Sequence, residues 1–221
     1  MPMPPLVRRT LVDDACDRLR EWILDGQLSP DDDLSEPRLA SMLGISRTPV
    51  REAIARLSHE GLVEVDAGKG FRIARADASL VREIYPIIAA LEAMALRLSA
   101  PDRLPDVAAL RAVNDEIRAG LRSERLFTLD KEFHRLIVSR CPNARLLTAL
   151  EQQRMLARRF DGASRRGMHK PLESRNEHAA IIEDIARKRV DRAAQRIEQH
   201  YLDGIEVVID WMSSRRKSEG K

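Results

Sequence analysis

Residues 34–71 read LSEPRLASMLGISRTPVREAIARLSHEGLVEVDAGKGF, and this run decides the fold of the first third of the chain. Ser35 is placed to cap a short helix that tolerates Pro37 in its first turn and stops at Gly44. After Gly44-Ile45, Ser46 can cap a further helix with Pro49 in its first turn, running to about His59. The apolar/polar alternation of LVEVD and of FRIAR then predicts two strands. The glycines of the intervening AGKG permit the positive φ angles of a tight hairpin.

Upstream, Leu11, Ala15, Leu19, Trp22 and Ile23 share one face of a helix from about Thr10 to Asp25, closed by Gly26. Helix, short helix, tight turn, helix and hairpin is the order of a winged helix-turn-helix, expected over residues 1–74. The pattern changes around residues 75–78, which predicts a linker. From Ser79 the spacing predicts six helices and no strand: about 79–99, 106–120, 123–140, 143–160, 174–188 and 190–213. Pro101, Pro105 and Pro142 punctuate their boundaries, while Pro86 falls inside the first and should kink it or delay its start. Residues 79–213 therefore read as an all-helical domain, and 214–221 (SRRKSEGK) as a disordered tail. The fold class is mostly α, with one small β-hairpin.

Composition agrees with this division. Aromatic residues make up only 4% of the 221, and strands draw heavily on aromatic and β-branched side chains. The two cysteines, Cys16 and Cys141, are far apart, so neither a disulfide framework nor a thiolate zinc site is indicated and a reducing cytoplasm is expected. No stretch has the length and apolarity of a membrane helix. Net charge is +3, yet residues 1–74 hold 10 basic against 13 acidic side chains. Bulk charge is thus no argument for a nucleic-acid partner, and any basic surface must be a local one.

The helix beginning SRTPVREAIARL supplies such a surface. Arg47 and Arg51 lie one turn apart near its N-terminus, and Val50, Ile54 and Leu57 fall on the opposite side. Guanidinium forks there can read guanine edges or bind phosphates, and the Ser46 and Thr48 hydroxyls suit phosphate oxygens. Arg38 and the hairpin-tip residue Lys69 extend the basic surface, whereas Asp13, Asp14, Asp17 and Asp31 to Asp33 fall in the first helix and its following loop. Two arginines on a helix are by themselves usually a solvated face. Here a capped turn and a glycine hairpin accompany them.

The helical part carries a second constellation. In DKEFH, Asp130 and His134 are four residues apart, so their side chains project about 40° from each other and roughly 6 Å apart. His178 and His200 lie on two later helices that a turn near residues 188–191 could make antiparallel, while His59 and His169 fall outside the pattern. Three imidazoles and a carboxylate suit Zn²⁺, Ni²⁺ or Mn²⁺ with coordination positions left open. A surface pair, or part of a catalytic site, remains compatible with the same spacing.

The run 34–71 resembles, continuously, the DNA-binding domain of the GntR family of bacterial transcription regulators. That likeness implies DNA contacts by Arg38, Arg47 and Arg51, helped by Ser46, Thr48 and the wing glycine Gly68, with Lys69 where many members have arginine. The second part resembles, more loosely over about 80–212, the all-helical FCD effector-binding domain of the FadR subfamily, in its shorter VanR-like branch. The landmarks are DKEFH, CPNARLL, EHAAIIEDIARKRVDRAA and the final QH. In metal-binding members the four ligands fall on Asp130, His134, His178 and His200. One departure is Ile88, standing where members often have an arginine a few residues before the glutamate matching Glu92.

These readings predict a cytoplasmic, ligand-responsive transcription regulator that binds a palindromic DNA operator as a homodimer and takes a small carboxylate effector at a metal-assisted pocket. The rival class is a metal-dependent hydrolase. That reading needs a general base, for which Glu132 sits on the wrong side of its helix and Glu177 is the remaining candidate.

Overall fold

The structure is a computed structural model that describes residues 9–66, 70–99, 103–119, 123–160 and 171–219. The chain divides into two compact units, Met1–Arg75 and Ala76–Lys221.

In the first unit, α1 (Leu11–Leu24) opens with a reciprocal capping box: Thr10 Oγ1 accepts from the Asp13 amide and the Asp13 carboxylate accepts from the Thr10 amide. Its buried face is Ala15, Cys16, Leu19 and Ile23. Leu11, expected on that face, is 60% exposed because it begins the helix beyond the end of the core. Ser35 caps α2 (Glu36–Leu43), which ends at Gly44 in the left-handed conformation that glycine adopts without strain. α3 (Arg47–His59) buries Pro49, Val50, Ala53, Ile54 and Leu57. Ser46 occupies its N-cap position but makes no side-chain cap hydrogen bond. β1 (Val63–Asp66) and β2 (Gly70–Ile73) pair antiparallel, Val63 with Ile73 and Val65 with Phe71. α1 packs on α3, and Arg20 grips the Glu60 carboxylate with two hydrogen bonds of 2.8 and 2.7 Å just beyond the end of α3.

The second unit contains α4 (Ala78–Leu98), α5 (Val107–Arg118), α6 (Ser123–Val138), α7 (Ala144–Ala157) with a short 3-10 turn at Arg158–Phe160, α8 (Pro171–Ala186) and α9 (Val190–Glu219). Asp77, Asp106 and Asn143 accept first-turn amides of α4, α5 and α7. α4 begins inside the expected linker and runs through Pro86 without a break in helix assignment; the proline removes one amide from the ladder. α9 continues to Glu219, past residue 214 where a tail was expected; between Gly204, which lies inside the helix, and Gly220 the sequence has no proline or glycine. Described helices include none long and apolar enough to cross a membrane.

α4 packs against α9, α7 and α6, α5 against α6 and α8, and α8 against α9. The shared core includes Leu96, Leu110, Phe133, Ile137, Leu150, Ile181 and Ile197. Each such side chain contributes about 1.5–3 kcal/mol by leaving water. Asp130, Phe133, His134 and Ile137 share one face of α6, so the packing that anchors Phe133 and Ile137 in this core also brings Asp130 and His134 toward α8 and α9.

Candidate metal centre and nucleic-acid surface

Four residues from three helices converge. One donor atom each from Asp130, His134, His178 and His200 lies within 4.8 Å of all the others. His134 Nε2 faces His200 Nε2 at 3.3 Å, and His178 Nε2 is 3.6 Å from Asp130 Oδ1.

Carboxylates behind the rings decide which nitrogens point inward as bare lone pairs. His134 Nδ1 is 2.9 Å from Glu92 Oε2, and His200 Nδ1 is 2.6 Å from Glu177 Oε2. When each Nδ1–H donates to its carboxylate, each Nε2 presents a lone pair, and the two lone pairs face one another. That arrangement is relieved either by a proton on one Nε2, which makes the contact a hydrogen bond, or by a metal ion between the two rings. Two nitrogens at about 2.1 Å from a tetrahedral ion are about 3.4 Å apart, close to the spacing found. His178 points the same way. It is completely buried, stacked on Phe133 at 3.8 Å, and neither ring nitrogen has a hydrogen-bond partner. Burial, then the neighbouring His200 and His134, hold its pKa well below the usual imidazole range, so it stays neutral and able to bind a metal. The donor set therefore fits a divalent transition ion.

Glu92 is the less expected member. It is fully buried, and besides His134 it accepts from Arg154 Nη2 at 2.7 Å and from the Tyr201 hydroxyl. Burial alone would raise its carboxyl, but the charges and donated bonds of His134, Arg154 and Tyr201 hold it at about 2. Burial also opposes a charged His134, yet the Glu92 carboxylate outweighs it and raises the imidazole. The position expected to lack a family arginine, Ile88, is 1% exposed in the core, and the guanidinium beside the site comes from Arg154 on α7. Neither Arg154 nor Tyr201 stands out in the sequence, where Glu92 serves only to place Ile88 and Glu177 is a candidate base. The signal for Glu92 was a lone charge in AALEAMAL, on the apolar face shared by Ile88 and Leu96.

Of the two candidate bases, Glu132 is paired with Arg135 at 2.6 and 2.7 Å, and Glu177 holds His200.

In the first unit, Arg47 and Arg51 stand in the first turns of α3, with Thr48 between Arg47 and the buried Pro49. Both arginines and Thr48 are exposed. The Arg51 side chain pairs with Glu36 on α2, and Arg38 Nη1 donates to the Asp33 carbonyl at 2.6 Å. Gly68 and Lys69 lie outside the described residues.

Residues 11–73 match the family described as bacterial regulatory proteins, gntR family, and residues 83–203 match the FCD domain. The chain belongs to the GntR family. It is a GntR transcriptional regulator with an FCD effector-binding domain, as expected for the FadR subfamily. Among its relatives, the Nta operon transcriptional regulator of Aminobacter aminovorans is 31% identical over 195 residues, covering 81% of this chain and 87% of that protein. The uncharacterized HTH-type transcriptional regulator YdhC of Bacillus subtilis (strain 168) is 29% identical over 189 residues, covering 83% and 84%. A crystal structure of a GntR family member from Pseudomonas syringae pv. tomato str. DC3000 is similar at TM-score 0.55 and 26% identity, covering 98% of this chain and 91% of that one. A GntR regulator from Rhodococcus sp. RHA1, at TM-score 0.67, 22% identity and 90% and 97% coverage, shares the fold. Neither the matched families nor these relatives support the hydrolase reading.

Proposed function

We propose that this GntR regulator binds a palindromic operator as a cytoplasmic homodimer and senses a small carboxylate through a divalent metal held by Asp130, His134, His178 and His200. The observation that carries the metal reading is the convergence of four donor atoms within 4.8 Å around a buried His178 that has no other partner. Zn²⁺, Ni²⁺ and Mn²⁺ each accept this donor set. A bound ion would supply a Lewis-acidic centre with open positions for the carboxylate of an organic acid. The chain's own residues do the rest: Glu92 and Glu177 orient two ligands, and Phe133 shields His178 from water.

For DNA, Arg47 and Arg51 enter the major groove from α3, with Ser46, Thr48 and Arg38 on phosphates and Gly68 and Lys69 at the wing. Two-fold symmetry matches two half-sites. An apolar stripe on α4, formed by Ile87, Met94 and Leu98 at 40–45% exposure, supports pairing of two copies through the helical unit. Effector binding shifts the winged domains only to the extent that it favours one arrangement over another.

The test is elemental analysis of untagged protein purified without chelator, beside His134→Ala. Near-stoichiometric metal that is lost in the variant supports the reading, with operator binding by the free variant retained. Absence of metal in both, even after reconstitution with each ion, overturns it.

A further inference from the structure

Arg51 does not stand free on the recognition surface. Its Nε donates to Glu36 Oε1 at 2.9 Å and its Nη2 to Glu36 Oε2 at 2.8 Å, a two-pronged bond from α3 back to the first residue of α2. The Arg51 side chain is 72% exposed and that of Glu36 27% exposed. An ion pair so open to water contributes little to folding stability, so its consequence has to be sought in what it does to the arginine.

A guanidinium has five N–H donors arranged along its edges. Glu36 takes the side edge, formed by Nε and one Nη2 hydrogen. The end edge, formed by one hydrogen on each Nη nitrogen, is left open, and its two donors can fork onto O6 and N7 of guanine. The side edge is anchored to a residue at the start of a separate helix, so the guanidinium plane is held before DNA arrives. Arg47 contrasts with this: it has no hydrogen-bond partner among the described residues, although its charge helps Arg51 hold the Glu36 carboxyl below the usual range. A second effect follows from charge. A carboxylate beside Arg51 repels phosphate, so a loose, backbone-only use of this arginine is penalised while a base contact through the end edge is still permitted.

We infer that Glu36 is a positioning residue for DNA readout, which pre-orients Arg51 for guanine and suppresses its use on phosphates. The inference rests on the reading that Arg51 meets a base. It extends that reading by assigning the source of specificity to an acidic side chain that does not itself touch the base.

The experiment is selection of bound duplexes from a random-sequence DNA pool by the full-length protein, with Arg51→Ala, Glu36→Gln and Glu36→Asp run in parallel. The Arg51→Ala variant identifies the base position that Arg51 dictates. Glu36→Gln removes the charge and one prong of the fork, and Glu36→Asp keeps the charge but shortens its reach by one methylene.

Both Glu36 variants should weaken the guanine preference at that one position by roughly three- to tenfold, the cost of ordering a long side chain on binding, and leave other positions unchanged. Binding of Glu36→Gln to non-selected DNA should be equal or tighter. A preference retained or sharpened in Glu36→Gln would overturn the inference and make Glu36 a competitor of DNA. Loss in Glu36→Gln with full preference in Glu36→Asp would also overturn it, in favour of charge alone. If Arg51→Ala alters no base preference, the base-contact reading itself fails; if it erases one that Glu36→Gln leaves intact, only the inference fails. Circular dichroism melts confirm that each variant is folded, and the helix-capping Ser35 is untouched in all of them.

Discussion

Glu177 and His178 are neighbours with different duties: His178 is a donor within the four-residue cluster, and Glu177 holds the ring of His200 at 2.6 Å. Glu177→Gln therefore removes no ligand, yet should lower metal affinity about 10- to 100-fold, because the ring loses the partner that fixes its tautomer. Chelator competition on the reconstituted protein measures it, and unchanged affinity would show that His200 needs no such support. On α3, Arg47→Ala and Arg51→Ala should each cost about 1–3 kcal/mol of operator binding if they form bidentate base contacts. Equal losses on unrelated DNA would mark them as phosphate contacts. At this scale the four candidate ligands were readable from residue type and a family likeness. Glu92 and Arg154 were not, because a buried charge is understood only once its partners on other helices are known. In the sequence Glu92 and Arg154 are 62 residues apart, whereas in the fold they are 2.7 Å apart.

At the scale of elements, α1 depends on its cap. Thr10→Ala should cost about 1 kcal/mol of stability of the first unit, measured by thermal or urea unfolding. Asp13, held by the Thr10 amide and hydroxyl and then by Arg56, has its carboxyl at about 2 rather than the model-peptide 3.8. A folded value below the unfolded one means that its contribution is complete above about pH 4 and is lost as pH falls through about 2. The stability difference between the wild type and Asp13→Asn should accordingly shrink over that interval, and a difference that stays constant from about pH 4 down to about pH 2 would contradict the assignment. On α8, Asp184 is 2% exposed and meets Arg189, Arg192 and Arg196 at 2.7, 3.5 and 2.7 Å. Asp184→Ala should destabilise the helical unit by about 1–3 kcal/mol, the cost of broken charge-assisted hydrogen bonds. Helix starts were easy to read, since Ser35, Asp77, Asp106 and Asn143 are all capping types. The end of α9 is less legible, because a polar, charged run without proline is compatible with a frayed tail and with a solvated helix alike.

For the whole molecule, a ligand that binds only the folded helical unit stabilises that unit, by about 2.7 kcal/mol when it is present at a hundred times its Kd. Chelator should thus lower the melting temperature of the helical unit and leave that of the winged unit unmoved, as followed by calorimetry with and without added Zn²⁺. A single transition insensitive to both additions would argue against a resident ion. The two-unit organisation could be read because apolar periodicity switches from a strand pattern back to a helical one around residues 75–78. Which helices become neighbours could not be read in the same way. Periodicity reveals that a face is apolar, but it does not say which other face will cover it, and the metal cluster depends on α6, α8 and α9 meeting.

Lys188, in the turn between α8 and α9, is the one non-glycine residue at positive φ among those described, at 56°. An L side chain in that conformation costs roughly 1–2 kcal/mol, and part of this would be recovered by a residue without a Cβ. For anyone preparing the protein for crystallisation, Lys188→Gly is therefore a substitution that relaxes the hairpin carrying His178 and His200 while removing a flexible surface side chain. It leaves every donor of the cluster in place.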